Sequence, residues 1–163
     1  MTKGIVSGVV SNMVTLRVDG PVLQGEICYI TTGGDRLMAE VIKVVGSDVY
    51  VQVFESTRGL KVGSQAEFTG HQLEIQLGPG MLSKNYDGLQ NDLDKMDGVF
   101  LRRGQYTAPL DEDRLWDFEP IVKAGDRVQG SDWLGKVEEN HQPLKIMAPF
   151  QMEGTAVVKS IVP

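Results

Sequence analysis

Cysteine and histidine are scarce in this sequence, and their scarcity excludes several kinds of site. The 163 residues include one cysteine, Cys28, and two histidines, His71 and His141. A single cysteine cannot form an internal disulfide, which favours a reducing compartment, and its place in an apolar run predicts a buried structural thiol. The histidines have no cysteine or carboxylate companions at metal-ligand spacing, so the sequence indicates no metal site. They also give no basis for a Ser-His-Asp or Cys-His catalytic arrangement.

Long apolar runs and an excess of basic charge are missing too. No stretch approaches the roughly 18 apolar residues of a membrane helix, and the N-terminus lacks the apolar core of a signal peptide, so we expect no direct membrane insertion. The net charge of −6 argues against a nucleic-acid partner. Residues 109–163 hold 10 acidic and 6 basic residues, a balance of −4. That balance is compatible with a basic partner surface, although scattered charge usually only solvates a face.

Short β-branched runs dominate the first 70 residues. Runs at 5–10 and 13–18, and again at 37–45 and 49–54, flank turn residues and predict two hairpins. Further runs at 25–32 and 63–70 bring the prediction to about six short strands with regular turn signals. We therefore predict a small closed β-barrel over residues 1–70, because closure removes the exposed edges of so small a sheet.

The pattern changes after residue 70. Five apolar residues lie near helical spacing and predict a short helix within a connecting segment, 71–108; they are Met81, Leu82, Tyr86, Leu89 and Leu93. Residues 109–163 return to apolar runs broken by glycine, aspartate and proline turns, which predicts a second β-rich domain. The predicted fold is thus mainly β, with a barrel, a short helical crossover and a β-rich insertion. The last residues form a strand-like run, so we expect a fragment of a longer protein.

The stretch GSDWLGKV (130–137) has the spacing of a phosphate-binding P-loop. Gly130, Gly135 and Lys136 match G-x-x-x-x-G-K, but Val137 replaces the hydroxyl that would ligate Mg²⁺. Pro143 leaves no room for the helix that must follow such a loop. We interpret the stretch as a turn followed by a strand, 133–137, packed into a core.

Two other stretches could suggest chemistry. LGPGML (77–82) resembles a phosphate cradle, but no lysine follows and Pro79 lacks an N–H, so we interpret it as a tight bend. The run Asp111-Glu112-Asp113 could suggest a metal site, but adjacent carboxylates do not converge, so we interpret it as a solvated turn. We therefore assign no catalytic, cofactor-binding or metal-binding residue to this chain.

One long stretch and three shorter ones follow a single family pattern across almost the whole chain. LEIQLGPGMLSKNYDGLQNDL (73–93) is the longest, with VDGPV (18–22), VFESTRGLKVGSQAEFTG (53–70) and WDFEPIVKAGDRVQGSDWLGKV (116–137) in the expected order. Together they resemble the catalytic A subunit of V-type and A-type ATPases. Two departures stand out: Ser131 precedes the aspartate of a usual Gly-Asp, and Asn91-Asp92 replaces the usual Arg-Pro.

The resemblance implies a function for each segment. Residues 1–70 would be the barrel that joins neighbouring barrels in a crown around a ring of alternating A and B subunits. Residues 71–108 would lead into the nucleotide-binding domain, and residues 109–163 would form part of the bulge that contacts the peripheral stalk. The family's P-loop and catalytic glutamate are expected beyond residue 163.

The resemblance also implies the setting of the parent protein. The parent would hydrolyse or synthesise ATP with Mg²⁺ and couple this to proton or Na⁺ transport. It would also contact the central stalk, and would be cytoplasmic and held at the membrane through the assembled ATPase. The present chain alone is expected to be inactive and to hold no cofactor.

Two alternatives remain open. The turn-rich pattern of residues 122–161 is similar to that of biotinyl or lipoyl carriers, with Lys145 as the modified residue. Those carriers place their lysine at a hairpin tip, typically between methionines, whereas Leu144 and Ile146 flank Lys145. The other alternative is a stand-alone binding module with no ATPase parent.

Overall fold

The computed structural model describes residues 2–96, 98 and 102–162. The chain divides into two compact units. Unit 1 combines Met1–Ile75 with Met96–Tyr106, and unit 2 combines Gln76–Lys95 with Thr107–Pro163.

Unit 1 is a closed barrel of antiparallel strands. Its strands are β1 (Lys3–Val10), β2 (Met13–Val18), β3 (Glu26–Thr32), β4 (Asp35–Val45), β5 (Asp48–Val53) and β6 (Gln65–Gln72). Their order around the barrel is β1-β2-β5-β4-β3-β6. Both predicted hairpins are present, as β1–β2 and β4–β5. The predicted small closed barrel is therefore confirmed.

The barrel interior is filled by the inward-facing residues of all six strands. In β5, for example, Val49, Val51 and Val53 are fully buried while Gln52 is exposed. This alternation follows from the two-residue period of a strand, which sends successive side chains to opposite faces. The core consists of Val6, Val14, Leu16, Cys28, Ile30, Leu37, Ala39, Val41, Val49, Val51, Val53, Ala66 and Phe68.

Strand β6 closes the barrel because it pairs with both β1 and β3. The pairing with β1 is short and joins residues 3–5 to residues 65–67. A glycine permits the close approach here, since a Cβ at Gly4 would lie 3.2 Å from both Phe68 and Val18. Register shifts in β1, β3 and β4 supply the bulges that bend strands in small barrels.

A later segment of the chain returns to pack on this barrel. The N–H of Met38 in β4 donates to Tyr106 Oη (2.9 Å), and the N–H of Gly104 donates to Glu55 Oε1 (3.0 Å). The Tyr106 ring meets Tyr29 edge-on, with centroids 6.2 Å apart. Residues 102–106 therefore belong to the barrel unit, although nothing in their sequence predicted it.

Unit 2 contains two small antiparallel sheets. The three-stranded sheet has the order β10-β9-β7, with β7 at Phe118–Pro120, β9 at Trp133–Glu139 and β10 at Gln142–Met147. The two-stranded sheet pairs β8 (Arg127–Gln129) with β11 (Thr155–Val157). The second β-rich region is thus confirmed, and the chain is mainly β as predicted.

The short helix predicted between Met81 and Leu93 is wrong. The described part of this segment has one 3-10 turn, Leu93–Lys95, and is otherwise irregular, with an isolated bridge between Tyr86 and Asp92. Two non-glycine residues with positive φ, Ser83 (63°) and Gln90 (60°), interrupt any helix. The apolar spacing reflects separate side-chain contacts along a loop.

Among residues 2–96, 98 and 102–162, the structure contains no helix both long and apolar enough to span a membrane.

Candidate functional site

The stretch with P-loop spacing forms a turn and strand β9. Gly135 lies directly against β7: a Cβ at this position would overlap the Phe118 ring and lie 2.6 Å from the Glu119 carbonyl oxygen. Lys136 Nζ pairs with Glu119 Oε2 at 2.8 Å. The glycine therefore serves strand packing, and the lysine is already engaged by a carboxylate.

The turn before β9 also has a packing role. A Cβ at Gly130 would lie 3.1 to 3.2 Å from three carbonyl oxygens of residues 149–152. Asp132 Oδ2 accepts from the N–H of Gln129 at 2.7 Å, and Ser131 has a φ of 73°. These features are those of a tight turn, as predicted. The prediction that strand 133–137 packs into a core is wrong for Trp133, which is 50% exposed, whereas Val137 is buried.

Trp133 is covered instead by a lysine of the neighbouring strand. Lys145 Nζ lies 3.2 Å from the centroid of the Trp133 ring, a cation–π contact. Lys145 pairs with Lys136 in the β9–β10 register, well away from the hairpin turn at Asn140 and His141. This mid-strand position differs from the hairpin tip at which carriers present their modified lysine.

The LGPGML stretch is a loop held by a buried carboxylate. Glu139, at the end of β9, is 4% exposed. Its Oε1 accepts hydrogen bonds from the backbone N–H groups of Gly80 and Leu82, both at 2.9 Å. An internal anion thus occupies the donors that a phosphate would need. Sequence reasoning missed Glu139, because nothing in the local pattern singles it out from Glu138.

The loop that follows is organised by Asp87. Its Oδ1 accepts from the N–H groups of Leu89 (2.9 Å) and Asn91 (2.8 Å), and its Oδ2 accepts from Asn91 Nδ2 (2.8 Å). Burial by itself would raise the pKa of Asp87, but the side-chain and backbone donors hold the pKa below its usual value. The ionised carboxylate therefore stabilises the turn.

Residues 107–109 fasten to the same loop. The N–H of Thr107 donates to Asn91 Oδ1 (3.0 Å), and the N–H of Asp92 donates to Thr107 Oγ1 (2.6 Å). Tyr86 Oη donates to the Pro109 carbonyl at 2.8 Å. Burial, followed by the nearby charge of Asp92, raises the pKa of Tyr86 and keeps its hydroxyl a donor.

Among the described residues of unit 2, Asp92 is the most deeply buried charged residue. It is 1% exposed, and its Oδ2 lies 3.2 Å from Lys84 Nζ and 3.8 Å from Lys95 Nζ. Its Oδ1 accepts from the N–H of Asp94 at 3.1 Å. The sequence carried a signal for this cluster, since Asn91-Asp92 is one of the two departures from the family pattern.

A small cavity opens beside Asp92. Its volume is about 120 Å³, and its lining consists of Gly80, Lys84, Asp92, Lys95, Pro109, Asp111 and Arg114. The guanidinium of Arg114 stacks on the Trp116 ring, 4.0 Å from the ring centroid. We call this feature the cationic cavity, because it is lined by three cationic and two acidic residues.

The run at residues 111–113, the acidic turn below, is exposed. Asp111 Oδ1 accepts from the N–H of Asp113 at 3.2 Å, and its carbonyl accepts from the N–H of Arg114 at 3.4 Å. The acidic turn is therefore a solvated turn, as predicted. Within residues 2–96, 98 and 102–162, no group of three or more His, Cys, Asp or Glu side chains could hold a metal ion.

The single cysteine and the two histidines occupy different environments. Cys28 is fully buried in the barrel core, as predicted, where burial and then the charge of Glu26 raise its thiol pKa to about 12. His71 and His141 are exposed, and each faces a glutamate three residues away, Glu74 or Glu138. None of the three contributes to the cationic cavity.

The outer wall of the barrel carries a groove with an apolar centre. The groove has a volume of about 400 Å³ and lies across β2, β1 and β6. Ile5 is 56% exposed within it, between its strand partners Arg17 and Gln65. The groove thus combines one exposed apolar side chain with polar and charged neighbours.

Two family models match most of the chain. Residues 6–70 match the beta-barrel domain of the ATP synthase alpha/beta family, and residues 107–163 match the ATP synthase alpha/beta subunit barrel-sandwich domain. The first match coincides with the closed barrel, and the second covers the two sheets of unit 2. The chain belongs to the ATP synthase alpha/beta family.

Three similar curated proteins are all V-type ATP synthase alpha chains. The present chain is 45% identical over 164 residues to the V-type ATP synthase alpha chain of Borreliella afzelii (strain PKo), covering 99% of this chain and 28% of that protein. The V-type ATP synthase alpha chain of Treponema denticola is 44% identical over 165 residues, with the same coverage. That of Borrelia hermsii is 45% identical over 98% of this chain. The present chain therefore spans 28% of the length of these relatives.

The described residues do not fit the ATP and Mg²⁺ that the family implies. Lys136 is paired with Glu119, and Val137 has no hydroxyl for the metal. The N–H groups of Gly80 and Leu82 are held by Glu139. These groups of the two glycine-containing stretches are therefore already paired within the chain.

Proposed function

We propose that this chain acts in the assembly of a V-type rotary ATPase and takes no part in the chemistry of ATP. The observation that carries the proposal is the match to V-type ATP synthase alpha chains over 98–99% of this chain and 28% of theirs. The matched part consists of a barrel and a β-rich region, and the stretches once suggestive of phosphate binding have packing roles. A part without a nucleotide site would contribute by contact with neighbouring subunits.

The barrel would join neighbouring barrels in a crown around a ring of alternating A and B subunits. The groove around Ile5 supports this, because it combines an exposed apolar side chain with charged residues at its rim, among them Lys3, Arg17 and Glu67. Such a combination suits an interface with a small apolar centre and a polar rim. The charged rim would set the register of the contact.

The whole protein would hydrolyse or synthesise ATP and couple this to proton or Na⁺ movement. ATP and Mg²⁺ would be bound by residues outside this chain, at a phosphate-binding loop of the kind that phosphoryl transfer requires. The other partners would be the peripheral stalk, reached through the bulge, and the central stalk. The assembly would place the protein on the cytoplasmic side of a membrane.

The assembly role is tested by Ile5→Lys in the full-length subunit, with Ile5→Val as the matched control. Lysine places a charge at the apolar centre of the groove, whereas valine keeps the surface apolar. After co-expression with the B subunit, native mass spectrometry should find fewer A/B rings for Ile5→Lys and a normal yield for Ile5→Val. Equal ring yields for the two variants would contradict the role of this groove.

A further inference from the structure

The cationic cavity is lined by more basic than acidic side chains. Lys84, Lys95 and Arg114 bring three positive charges, whereas Asp92 and Asp111 bring two negative ones. Asp92 faces both lysines with the same oxygen, Oδ2. The charged side chains of the lining alone therefore sum to a formal charge of +1, while the buried carboxylate of Glu139 accepts from the N–H of Gly80, which also lines the cavity.

The hydrogen-bond donors are in excess as well. Each ammonium group has three N–H donors, whereas the Asp92 oxygen that both lysines face has only two lone pairs. Lys95 Nζ, at 3.8 Å, is beyond hydrogen-bond distance of that oxygen. Lys84 and Lys95 are 35% and 43% exposed, so their remaining donors are accessible from solvent. The stacked guanidinium of Arg114 keeps the N–H groups along its edge available for a bidentate contact.

We propose that the cationic cavity binds a small tetrahedral oxyanion, of which inorganic phosphate is the reference ligand. The surplus donors of three cationic side chains favour an anion, and the bidentate edge of Arg114 suits an oxyanion better than a halide. The volume of about 120 Å³ is far below the roughly 300–1,000 Å³ of pockets for drug-sized ligands, so a whole nucleotide does not fit. Nothing in this proposal depends on the assembly role.

The test is a titration of the ¹⁵N-labelled 163-residue chain with sodium phosphate, followed by amide chemical shifts. Ionic strength is held constant with sodium chloride, because exposed charges are screened by salt. Saturable shifts should centre on Gly80, Lys84 and Lys95, and sulfate should reproduce them. MgATP should bind no tighter than phosphate, and tighter MgATP binding would overturn the assignment to a small anion.

Two substitutions with opposite expected effects on affinity distinguish phosphate binding from a structural effect. Arg114→Gln should weaken phosphate binding about tenfold, the change expected when one charge-assisted hydrogen bond is lost. Asp111→Asn should tighten binding, since it removes an opposing charge from the lining. A merely structural role for these residues would not move the affinity in opposite directions.

The controls address folding and non-specific charge. Lys84→Gln and Lys95→Gln disturb the buried Asp92, so Arg114→Gln, which leaves Asp92 and both its lysines in place, is the decisive loss variant. Lys136→Gln removes an exposed lysine of the same unit and should leave the affinity unchanged. The proposal is overturned if the shifts do not saturate, if Arg114→Gln binds phosphate as tightly as the unaltered chain does, or if Lys136→Gln weakens binding as much as Arg114→Gln.

Discussion

Two adjacent glutamates, Glu138 and Glu139, have different structural roles, although nothing in the local sequence distinguishes them. Glu138 is exposed and faces His141, whereas Glu139 is buried and accepts two backbone hydrogen bonds from the LGPGML loop. The difference follows from strand alternation, which sends neighbouring residues to opposite faces. The sequence could predict the strand but not which loop its inner face meets, because that contact joins residues 57 to 59 positions apart.

Glu139→Ala should destabilise unit 2, because it leaves the N–H groups of Gly80 and Leu82 without an acceptor. A fully buried unsatisfied donor costs about 1–3 kcal/mol, and the loss here should lie at or below the lower end because Gly80 is half-buried and Leu82 is exposed. Urea unfolding should give a lower midpoint for Glu139→Ala, and a smaller loss for Glu139→Gln, which retains one oxygen. Glu138→Ala is the exposed control, and the same midpoint for Glu138→Ala and Glu139→Ala would contradict the anchoring role.

Asp87 should make the stability of the chain depend on acid pH. Its pKa in the folded chain is held below the ordinary 3.8, so its ionised form favours the folded state above that value. That contribution should be lost as the pH falls from 3.8 through the lower folded pKa. Urea midpoints across this range should fall more steeply for the unaltered chain than for Asp87→Asn, and parallel curves would argue against this account.

At the scale of elements, the sequence predicted the two barrel hairpins correctly but not the conformation of the loop at 81–93. The β1–β2 and β4–β5 hairpins join β-branched runs across short polar turns, so local chemistry determines them. The irregular loop at 81–93 has apolar residues at helical spacing, yet its conformation depends on Asp87, Glu139 and Thr107. Helical spacing fails there because partners distant in sequence replace the contacts within a helix.

Gly135→Ala should destabilise the β7–β9 pairing, because a Cβ at this position overlaps the Phe118 ring. Overpacking of this kind typically costs about 1–3 kcal/mol. Gly88→Ala is the matched control, since its Cβ would meet nothing within 4 Å. Thermal unfolding followed by tryptophan fluorescence should give a lower midpoint for Gly135→Ala than for Gly88→Ala. Equal midpoints would show that the sheet relaxes around the added methyl.

At the scale of the whole molecule, the family resemblance supplied what local physics could not. Composition and turn spacing predicted a barrel and a second β region, and both family models fall on those regions. Composition and strand spacing do not reveal what a small β-barrel binds. The prediction of function therefore depended on the family motif at residues 73–93. The division of the chain at residues 71–108 and the absence of site residues remain predictions.

The acidic turn should contribute to stalk binding if the bulge contacts the peripheral stalk. Reversal of Asp111, Glu112 and Asp113 to lysine should weaken capture of stalk subunits by the full-length protein, with the larger effect at low salt. Glu153→Lys, an exposed reversal elsewhere in unit 2, serves as the control. Unchanged capture by the triple variant would count against this face.

We propose that this part of the protein serves assembly and does not bind ATP, and calorimetry with MgATP tests this proposal most directly. The 163-residue chain contains no phosphate loop with free donors among its described residues, so titration should give no saturable heat at or below about 1 mM. Saturable binding of MgATP tighter than about 1 mM would contradict the account, because it would require a nucleotide site in this chain.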